Sequence, residues 1–163
     1  MTQSAAAGRR QLLQDMIDGI GYVARHGMIV EAVPGSGAAA DDVIGPPTER
    51  PAEARVRLLA SPDNANLVGG LHASALFCVA ETAAGIAAWC IESDPATMVY
   101  VRSVEVQYPA RATGDVVASA TVTSLVGNDA QVAVVVTDTV ERVVLTAQFS
   151  YALRRTGRTD TKG

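Results

Sequence analysis

The stretch NLVGGLHASALFCVAETAAG, residues 66–85, decides the fold. Paired glycines precede a long apolar run, which predicts a helix over Leu71–Ile91 with its first turn near His72. Within that helix only Glu81 is expected to be charged at neutral pH. A helix that is apolar on nearly every side has to be surrounded by other parts of a protein or by lipid.

The lipid alternative does not fit this helix. A membrane span needs about 20 apolar residues, and Leu71–Ile91 is long enough. However, His72 and the mid-span Glu81 would be costly at the centre of a bilayer. The segment is also rich in Ala, and no Lys or Arg flanks it closely. We therefore interpret it as a helix buried in the protein.

The residues on both sides of this helix are typical of β structure. Short strands are predicted before the helix at Met28–Val33 and Glu53–Ala60. In the strand after the helix, a change in the alternation of apolar residues indicates a bulge or a twist near Arg102. The four strands after the helix are predicted at Met98–Tyr108, Val116–Val126, Gln131–Val140 and Val143–Leu153. Short turns between consecutive strands imply an antiparallel sheet. A single curved sheet of about six strands around the central helix is an α+β hotdog fold.

The rest of the chain predicts one domain, residues 11–154, with flexible ends at 1–10 and 155–163. The segment Gln11–His26 is predicted as an amphipathic helix with Gly27 as its C-cap. The apolar stripe of that helix comprises Leu12, Leu13, Met16, Ile17, Ile20 and Val23.

The segment Pro34–Pro51 is rich in Gly, Pro, Ala and Asp, which predicts a mobile loop. Such a loop either covers the functional site or is an insertion without a role there.

Composition and charge exclude several function classes. Hydrophobic residues make up 48% of the 163 residues and charged residues 18%, so the chain can form a sizeable core. The net charge of −4 argues against a nucleic-acid or anionic-membrane partner. Cys78 and Cys90 lie too far apart on one helix to form a disulfide. Free thiols, and a basic N-terminus without an apolar run behind it, predict a cytoplasmic protein.

Glu81 is the residue that most needs an explanation. An unpaired carboxylate is expensive to bury, so such a group is normally paired or functional. In the structural interpretation, Glu81 pairs with an arginine such as Arg102 or accepts hydrogen bonds from a backbone turn. In the functional interpretation, it is a catalytic acid.

The residues around the start of the helix form a pattern: Asn66, Gly69, His72, Ala73, Glu81 and Gly85. An Asn and a Gly precede a His-Ala pair, and an acid follows nine positions after the His. This pattern resembles the motif of hotdog acyl-CoA thioesterases, especially an uncharacterised thioesterase-like branch. The order of helices and strands extends the resemblance over residues 11–153.

The resemblance implies hydrolysis of an acyl thioester, with no cofactor beyond the coenzyme A of the substrate. Glu81 is then the general base or the nucleophile. The N–H of Ala73, at the positive end of the helix, is the expected oxyanion donor. Asn66 positions the water or the thioester, unless it is only a turn-forming Asn. For His72, a structural role is favoured over contact with the carbonyl.

Further candidates for substrate binding are Gly69, Phe77, Thr82, Gly85 and Ser103. Phe77 lines an acyl pocket or packs in the core, and Thr82 or Ser103 supplies the hydroxyl that some hotdog thioesterases carry at the position of Gly85. The candidates for contact with coenzyme A phosphates are Arg102, Arg111, Arg154 and Arg155, with solvated surface charge as the ordinary alternative. Cys78 is interpreted as an inert buried thiol, and no metal site is expected.

Helix geometry adds a constraint that does not depend on the resemblance. Nine helical residues place His72 and Glu81 on opposite faces and about 13 Å apart along the axis. Two groups so placed cannot act on one bond within one subunit. We therefore expect a dimer, or a dimer of dimers, in which each site combines the helix start of one chain with Glu81 of the other.

Two other functions are considered. One is a non-catalytic hotdog protein that binds an acyl group or serves as an oligomeric scaffold. The other, a hydratase acting on enoyl-CoA, is disfavoured because the sequence lacks the Asp and His arrangement of related hydratases. The acyl group, and the choice between coenzyme A and an acyl carrier protein, are not determined by these patterns.

Overall fold

The computed structural model describes residues 2–33, 53–91 and 97–155, so the predicted loop at Pro34–Pro51 lies outside the described residues. The helices are α1 (Thr2–Asp18), α2 (Gly21–Arg25) and α3 (Ala73–Trp89), and a 3-10 turn spans Pro62–Asn64. The strands are β1 (Met28–Ala32), β2 (Glu53–Leu58), β3 (Thr97–Gln107), β4 (Val116–Val126), β5 (Asp129–Asp138) and β6 (Val143–Arg155).

The six strands form one antiparallel sheet in the order β1-β2-β4-β5-β6-β3. The pairing of β3 with β6 shifts between Val101 and Ser103, which confirms the bulge predicted near Arg102. The helix α3 packs chiefly against β2, β4 and β5, and the predicted hotdog architecture is confirmed.

Small side chains let the helix lie close to the sheet. The buried residues of α3 include Ala75, Ala80, Ala83, Ala84, Ala87 and Ala88. They face a sheet surface made largely of Val and Ala, in which Val132, Val134 and Val136 of β5 point inward. Because protein interiors are close-packed, larger residues on this side of the helix would push it away from the sheet.

Contrary to expectation, α3 is not surrounded on every side. A stripe at helical spacing, Ser74, Phe77, Glu81, Gly85 and Trp89, is exposed or half-buried. The helix packs less against β3, at one edge of the sheet, than against β2, β4, β5 or β6. The inner side of the molecule is therefore closed over β2, β4 and β5 and open toward β3.

Two valines of β3 line this opening. Val101 pairs with Tyr151 and Val104 pairs with Phe149, and both aromatic side chains are buried on the inner face of the sheet. The two valines face the same side but are 43% and 38% exposed. We call the surface formed by Phe77, Glu81, Gly85, Val101 and Val104 the open inner face.

The ends of the chain differ from the prediction. The helix α1 begins at Thr2 rather than Gln11, because three consecutive alanines within residues 2–10 favour a helix. At the other end, β6 continues through Arg155, which pairs with Thr97, so only residues 156–163 of the predicted flexible tail lie outside the described residues.

The predicted helix over Gln11–His26 is divided in two. The helix α1 ends at Asp18, before Gly19, and α2 is capped by His26, with Gly27 at a φ of +65° as predicted for a C-cap. Of the predicted stripe, Leu13, Ile17 and Val23 are buried, whereas Leu12, Met16 and Ile20 are exposed. The physical reason is that α1 packs chiefly against the edge strand β1 and α2, so a narrow line of residues is covered.

The two edge strands of the sheet differ in whether their free backbone groups have hydrogen-bonding partners. At β1, the side chain of Gln14 donates to Met28 O (3.0 Å) and accepts from Val30 N (2.7 Å), as a neighbouring strand would. At the opposite edge, no other segment of the described chain pairs with the free side of β3. An unprotected edge of 11 residues is suited to pairing with another chain.

We expect Gln14→Ala to lower the free energy of unfolding by about 1–2 kcal/mol, because it leaves two backbone groups of β1 without their partner. Urea denaturation measures this loss. Gln11→Ala is the matched control, since Gln11 bonds only the exposed Asp15 (2.8 Å). Equal losses in the two variants would contradict the role assigned to Gln14.

Candidate active site

The loop before α3 is shaped by the side chain of Asn66. Its Oδ1 accepts from the N–H of Val68 (3.1 Å) and of Gly70 (3.0 Å), and its Nδ2 donates to Leu71 O (3.2 Å). Both lone pairs of Oδ1 are thereby used, and one N–H of the carboxamide remains. Asn66 therefore forms the turn and retains a single donor.

The two glycines of the loop are required by its conformation. Gly69 has a φ of +74°, which residues with a side chain rarely adopt. A Cβ on Gly70 would lie 2.7 Å from Nε of Arg111 and 2.9 Å from Ala112 O. The guanidinium of Arg111 also donates to Val68 O, and Leu71 N donates to Ala112 O (2.9 Å). The loop is thus held against residues 111–112.

The first turn of α3 has one free backbone donor. His72 is the N-cap, and its Nδ1 accepts from Ser74 N (3.1 Å). The N–H groups of Ala75 and Leu76 both donate to His72 O (3.0 and 3.1 Å). The N–H of Ala73 has no intrahelical acceptor at this position, and no residue in the described ranges accepts from it. Ala73 is exposed, so this N–H is open to a ligand.

The direction of the His72 ring does not follow from helical periodicity, because His72 is the N-cap and not a helical residue. Its φ of −69° and ψ of 143° are those of extended backbone, so the predicted opposite-face relation to Glu81 does not describe the ring. The separation along the helix axis does persist. Because Nδ1 accepts a hydrogen bond, a neutral ring carries its proton on Nε2.

Glu81 is exposed rather than buried, because it lies on the open inner face. The alternative in which Glu81 pairs with an arginine such as Arg102 is not observed, since Arg102 forms an ion pair with Asp129 (3.0 Å). Within the described ranges no basic side chain pairs with Glu81. The carboxylate is therefore available to water and to a ligand.

The groups next to Glu81 respond to its charge. Burial raises the pKa of the Cys78 thiol to about 11, and the charge of Glu81 adds to this effect, while a hydrogen bond with Thr82 opposes it. The pKa of Tyr151 is raised by burial and then by Glu81, and the Tyr151 hydroxyl donates to Glu81 O (3.4 Å). Cys78 and Cys90 are free thiols, as predicted.

Aromatic rings form the floor of the open inner face. The ring of Phe77 lies 6.0 Å from that of Phe149, which lies 5.9 Å from the ring of Tyr151. Gly85 is half-buried above this row, and a Cβ there would lie 3.9 Å from the Tyr151 hydroxyl. The surface beside Phe77 is therefore largely apolar, and at Gly85 it has room for a methyl group.

Ser103 does not belong to this site. It pairs with Ser150, whose neighbours Phe149 and Tyr151 face the core, so Ser103 lies on the outer face of the sheet. The bulge at Arg102 reverses the alternation of β3 and moves Ser103 to that face.

The four candidate arginines have different surroundings. Arg102 is neutralised by Asp129, and Arg111 is bound to the loop beside the start of α3. Arg154 is exposed near the end of β6, and Arg155 is the last residue of that strand. Arg111 is the one of the four that contacts the loop leading to the free donor of Ala73.

Three contributors to the site were not predicted. The carbonyl of the buried Asn64 accepts from His72 N (2.8 Å), Ser74 bonds the His72 ring, and the Tyr108 hydroxyl donates to Ala73 O (3.4 Å). Ser74 directly follows the His72-Ala73 pair of the motif, so its role as a capping partner could have been predicted from the sequence. Asn64 and Tyr108 reach the site through tertiary contacts that no spacing in the sequence indicates.

None of the helices in the described part of the chain is both long and apolar enough to cross a membrane. The 17 residues of α3 agree with its interpretation as a helix within the protein.

Comparisons with known proteins agree with this architecture. A family model described as a domain of unknown function, DUF4442, matches residues 48–153. A thioesterase from Haemophilus influenzae has a TM-score of 0.74 at 13% identity, with 95% of this chain and 94% of that chain covered. A thioesterase from Pseudomonas aeruginosa, solved as a Gln-to-Ala variant, has a TM-score of 0.73 at 14% identity, with 90% and 94% covered.

A thioesterase from Staphylococcus aureus is similar in two variant structures. Its Gln-to-Ala variant has a TM-score of 0.68 at 12% identity, with 82% of this chain and 98% of that chain covered. Its Glu-to-Ala variant has a TM-score of 0.66 at the same identity and coverage. At such identities the likeness shows the fold alone. Among curated proteins, no significant match to the chain was found.

The family model covers more than half of the chain, and the similar structures share its sheet and central helix. The chain therefore belongs to the DUF4442 family and has the hotdog fold of these thioesterases.

Proposed function

We propose that this protein hydrolyses acyl thioesters of coenzyme A or of an acyl carrier protein. The observation that carries the proposal is the pairing, on one helix, of a free N–H donor at Ala73 with an accessible carboxylate at Glu81. The first suits an oxyanion and the second suits activation of water, which are the two requirements of thioester hydrolysis.

The reaction begins when the carbonyl oxygen of the thioester accepts a hydrogen bond from Ala73. Glu81 takes a proton from a water molecule as its oxygen attacks the carbonyl carbon, and the tetrahedral oxyanion forms. The C–S bond then breaks and protonated Glu81 gives its proton to the departing thiolate, which yields the free acid and the thiol and restores the carboxylate. If Glu81 instead attacks directly, an anhydride forms and water hydrolyses it.

Both groups act on one bond only in a dimer. Ala73 and Glu81 lie about 12 Å apart along α3, which is too far for a single carbonyl. A second copy related by a two-fold axis would bring its helix start toward this Glu81. The free edge of β3 and the exposed Val101 and Val104 supply a surface for that copy. A dimer of dimers would add contacts elsewhere on the sheet.

The spacing of a similar thioesterase supports the assignment of residues. The glutamine and the glutamate substituted in the Staphylococcus aureus protein lie fifteen positions apart. Asn66 and Glu81 have the same spacing. In the proposed site the remaining N–H of the Asn66 carboxamide holds the water or the thioester, and Gly69 and His72 shape the loop around it. Thr82, which hydrogen-bonds the Cys78 thiol, is the remaining candidate for a hydroxyl at the site.

The acyl group is placed on the open inner face, against Phe77 and beside Gly85. Arg111, next to the loop, is the proposed contact for a phosphate of coenzyme A. No cofactor other than this substrate moiety is part of the proposal, and the cytoplasm remains the predicted location.

One observation favours a second function, a non-catalytic protein that binds acyl groups or serves as a scaffold. The carboxamide of Asn66 makes most of its possible hydrogen bonds within its own loop, so only one N–H remains for a ligand. A protein of this kind would bind acyl thioesters without releasing the thiol.

The direct test compares wild type with Glu81→Gln in thiol release from short, long and aromatic acyl-CoA thioesters. We expect kcat to fall by about 10²-fold or more, since general-base catalysis contributes about that much. Glu105→Gln is the control, because Glu105 is an exposed glutamate that pairs with Gln148 on the outer face. Thiol release that is absent in wild type would support the binding or scaffold function instead. Equal thiol release by wild type and Glu81→Gln would contradict the role assigned to Glu81.

The proposed dimer predicts the effect of a charge on the inner side of β3. Val104→Lys should shift the protein toward monomers in sedimentation velocity and lower thiol release in parallel, because a lysine in an apolar interface is costly to desolvate. Val135→Lys is the control, since Val135 is an exposed valine on the outer face of β5. Loss of a tetramer in that variant would reveal a dimer of dimers. A dimer that persists with full activity in Val104→Lys would exclude this interface.

The raised pKa of Cys78 predicts that its thiol takes no part in the reaction. At pH 8 only about one thiol in a thousand is ionised for a pKa near 11, so iodoacetamide should label Cys78 very slowly. Glu81→Gln removes a charge that raises this pKa, so the pKa should fall and labelling should be faster. Mass spectrometry of the labelled peptide measures both rates. Rapid labelling of Cys78 that also abolishes thiol release would point to a cysteine nucleophile.

A further inference from the structure

A buried side chain connects the end of α2 to the start of α3. Asn64 is 1% exposed and belongs to the 3-10 turn before the loop. Its Nδ2 donates to His26 O (3.2 Å) and to Leu59 O (3.1 Å), and its Oδ1 bonds Nδ1 of His26. Its own carbonyl accepts from His72 N (2.8 Å). Asn64 therefore joins α2, the end of β2 and the N-cap of α3.

These hydrogen bonds define the orientation of the Asn64 carboxamide and the tautomer of the His26 ring. Both N–H groups of the Asn64 carboxamide meet carbonyl oxygens, so the end facing His26 is the oxygen. Nδ1 of His26 must then carry a proton in order to donate. Removing either partner would leave buried polar groups without a hydrogen bond, which is costly enough to displace the backbone.

The backbone next to this connection is the proposed oxyanion donor. His72 N–H is fixed by Asn64 O, and the following N–H is the free one of Ala73. A displacement of about 1 Å at a reacting position can cost about 10²-fold in rate. The position of the Ala73 donor therefore depends on how firmly Asn64 is held.

His26 brings the N-terminal helices into the site. It caps α2 and lies before residue 48, where the family match begins. The preceding helix α1 is fixed to β1 by Gln14 and by the buried Leu13 and Ile17. The segment from α1 to His26 is thus held against the sheet and in turn holds Asn64 through His26.

We propose that Asn64 and His26 are positioning residues that hold the Ala73 N–H in place for the oxyanion, an inference that rests on the proposed thioesterase function. Neither residue touches the substrate. Their effect therefore falls on the rate of the chemical step and not on substrate affinity.

The kinetic test uses Asn64→Ala and His26→Leu, which remove the connection, and His26→Asn, whose amide places a donor close to the position of Nδ1. We expect kcat for thiol release to fall by about 10-fold or more in the first two variants, with KM changed by less than about 2-fold. His26→Asn should recover most of the rate. Val134→Ala is the control for lost stability, because Val134 is buried in β5 away from this connection.

A second readout does not require activity. Amide hydrogen exchange of residues 71–76 should become faster in Asn64→Ala and His26→Leu than in Val134→Ala, which measures the effect of lost stability alone, and should remain close to wild type in His26→Asn. All variants are compared well below their melting temperatures.

These two readouts separate the possible failures. Faster exchange with no thiol release by wild type would remove the thioesterase function and, with it, the catalytic role assigned to Asn64 and His26. Unchanged exchange in Asn64→Ala, or a kcat loss equal to that of Val134→Ala, would overturn the inference while leaving the thioesterase function intact.

Discussion

The packing of the alanine-rich side of α3 on the sheet is the contact on which the rest of the structure depends. It fixes the direction of the helix and its distance from the sheet, because Ala80, Ala83 and Ala84 are fully buried against Val and Ala of the strands. Once α3 is fixed, its start and Glu81 are fixed as well. Both groups of the proposed site therefore lie on one rigid element.

The same packing also determines what remains exposed. Because α3 lies over β2, β4 and β5, the strand that follows it in sequence, β3, is left at the far edge with little cover. Glu81 faces that uncovered side. The molecule thus presents an unpaired strand edge, apolar side chains and a carboxylate on one surface, whereas the opposite edge is closed by Gln14. These features explain why a second copy is expected at β3 and not at β1.

Much of the fold was predictable from local patterns. Alternation of apolar and polar residues gave β4 at its observed ends, and the break in that alternation located the bulge at Arg102. The start of α3 was predicted less accurately. Leu71 bonds Ala112 through a tertiary contact, and His72 is the N-cap of the helix, so neither residue belongs to α3 itself. The single predicted N-terminal helix failed at Gly19, where a glycine ends α1.

The candidate site was predictable only in part. The spacing of Asn66, His72 and Glu81 identified the right region, but the exposure of Glu81 follows from the order of strands in the sheet, which the sequence does not state. Asn64 could not be found either, since its partner His26 is 38 residues away in the chain. Contacts of this kind depend on the assembled fold and not on periodicity.

The central claim is that each site combines the helix start of one chain with Glu81 of another. It is tested by mixing Glu81→Gln with Asn66→Ala, which lacks the carboxamide of the loop before α3, under conditions that exchange subunits. The account expects each variant alone to have little activity. In mixed dimers one of the two sites has both groups intact, so thiol release should return to about one quarter of the wild-type value at equal ratios. A mixture no more active than its better parent would show that both groups act within one chain, and would contradict the account.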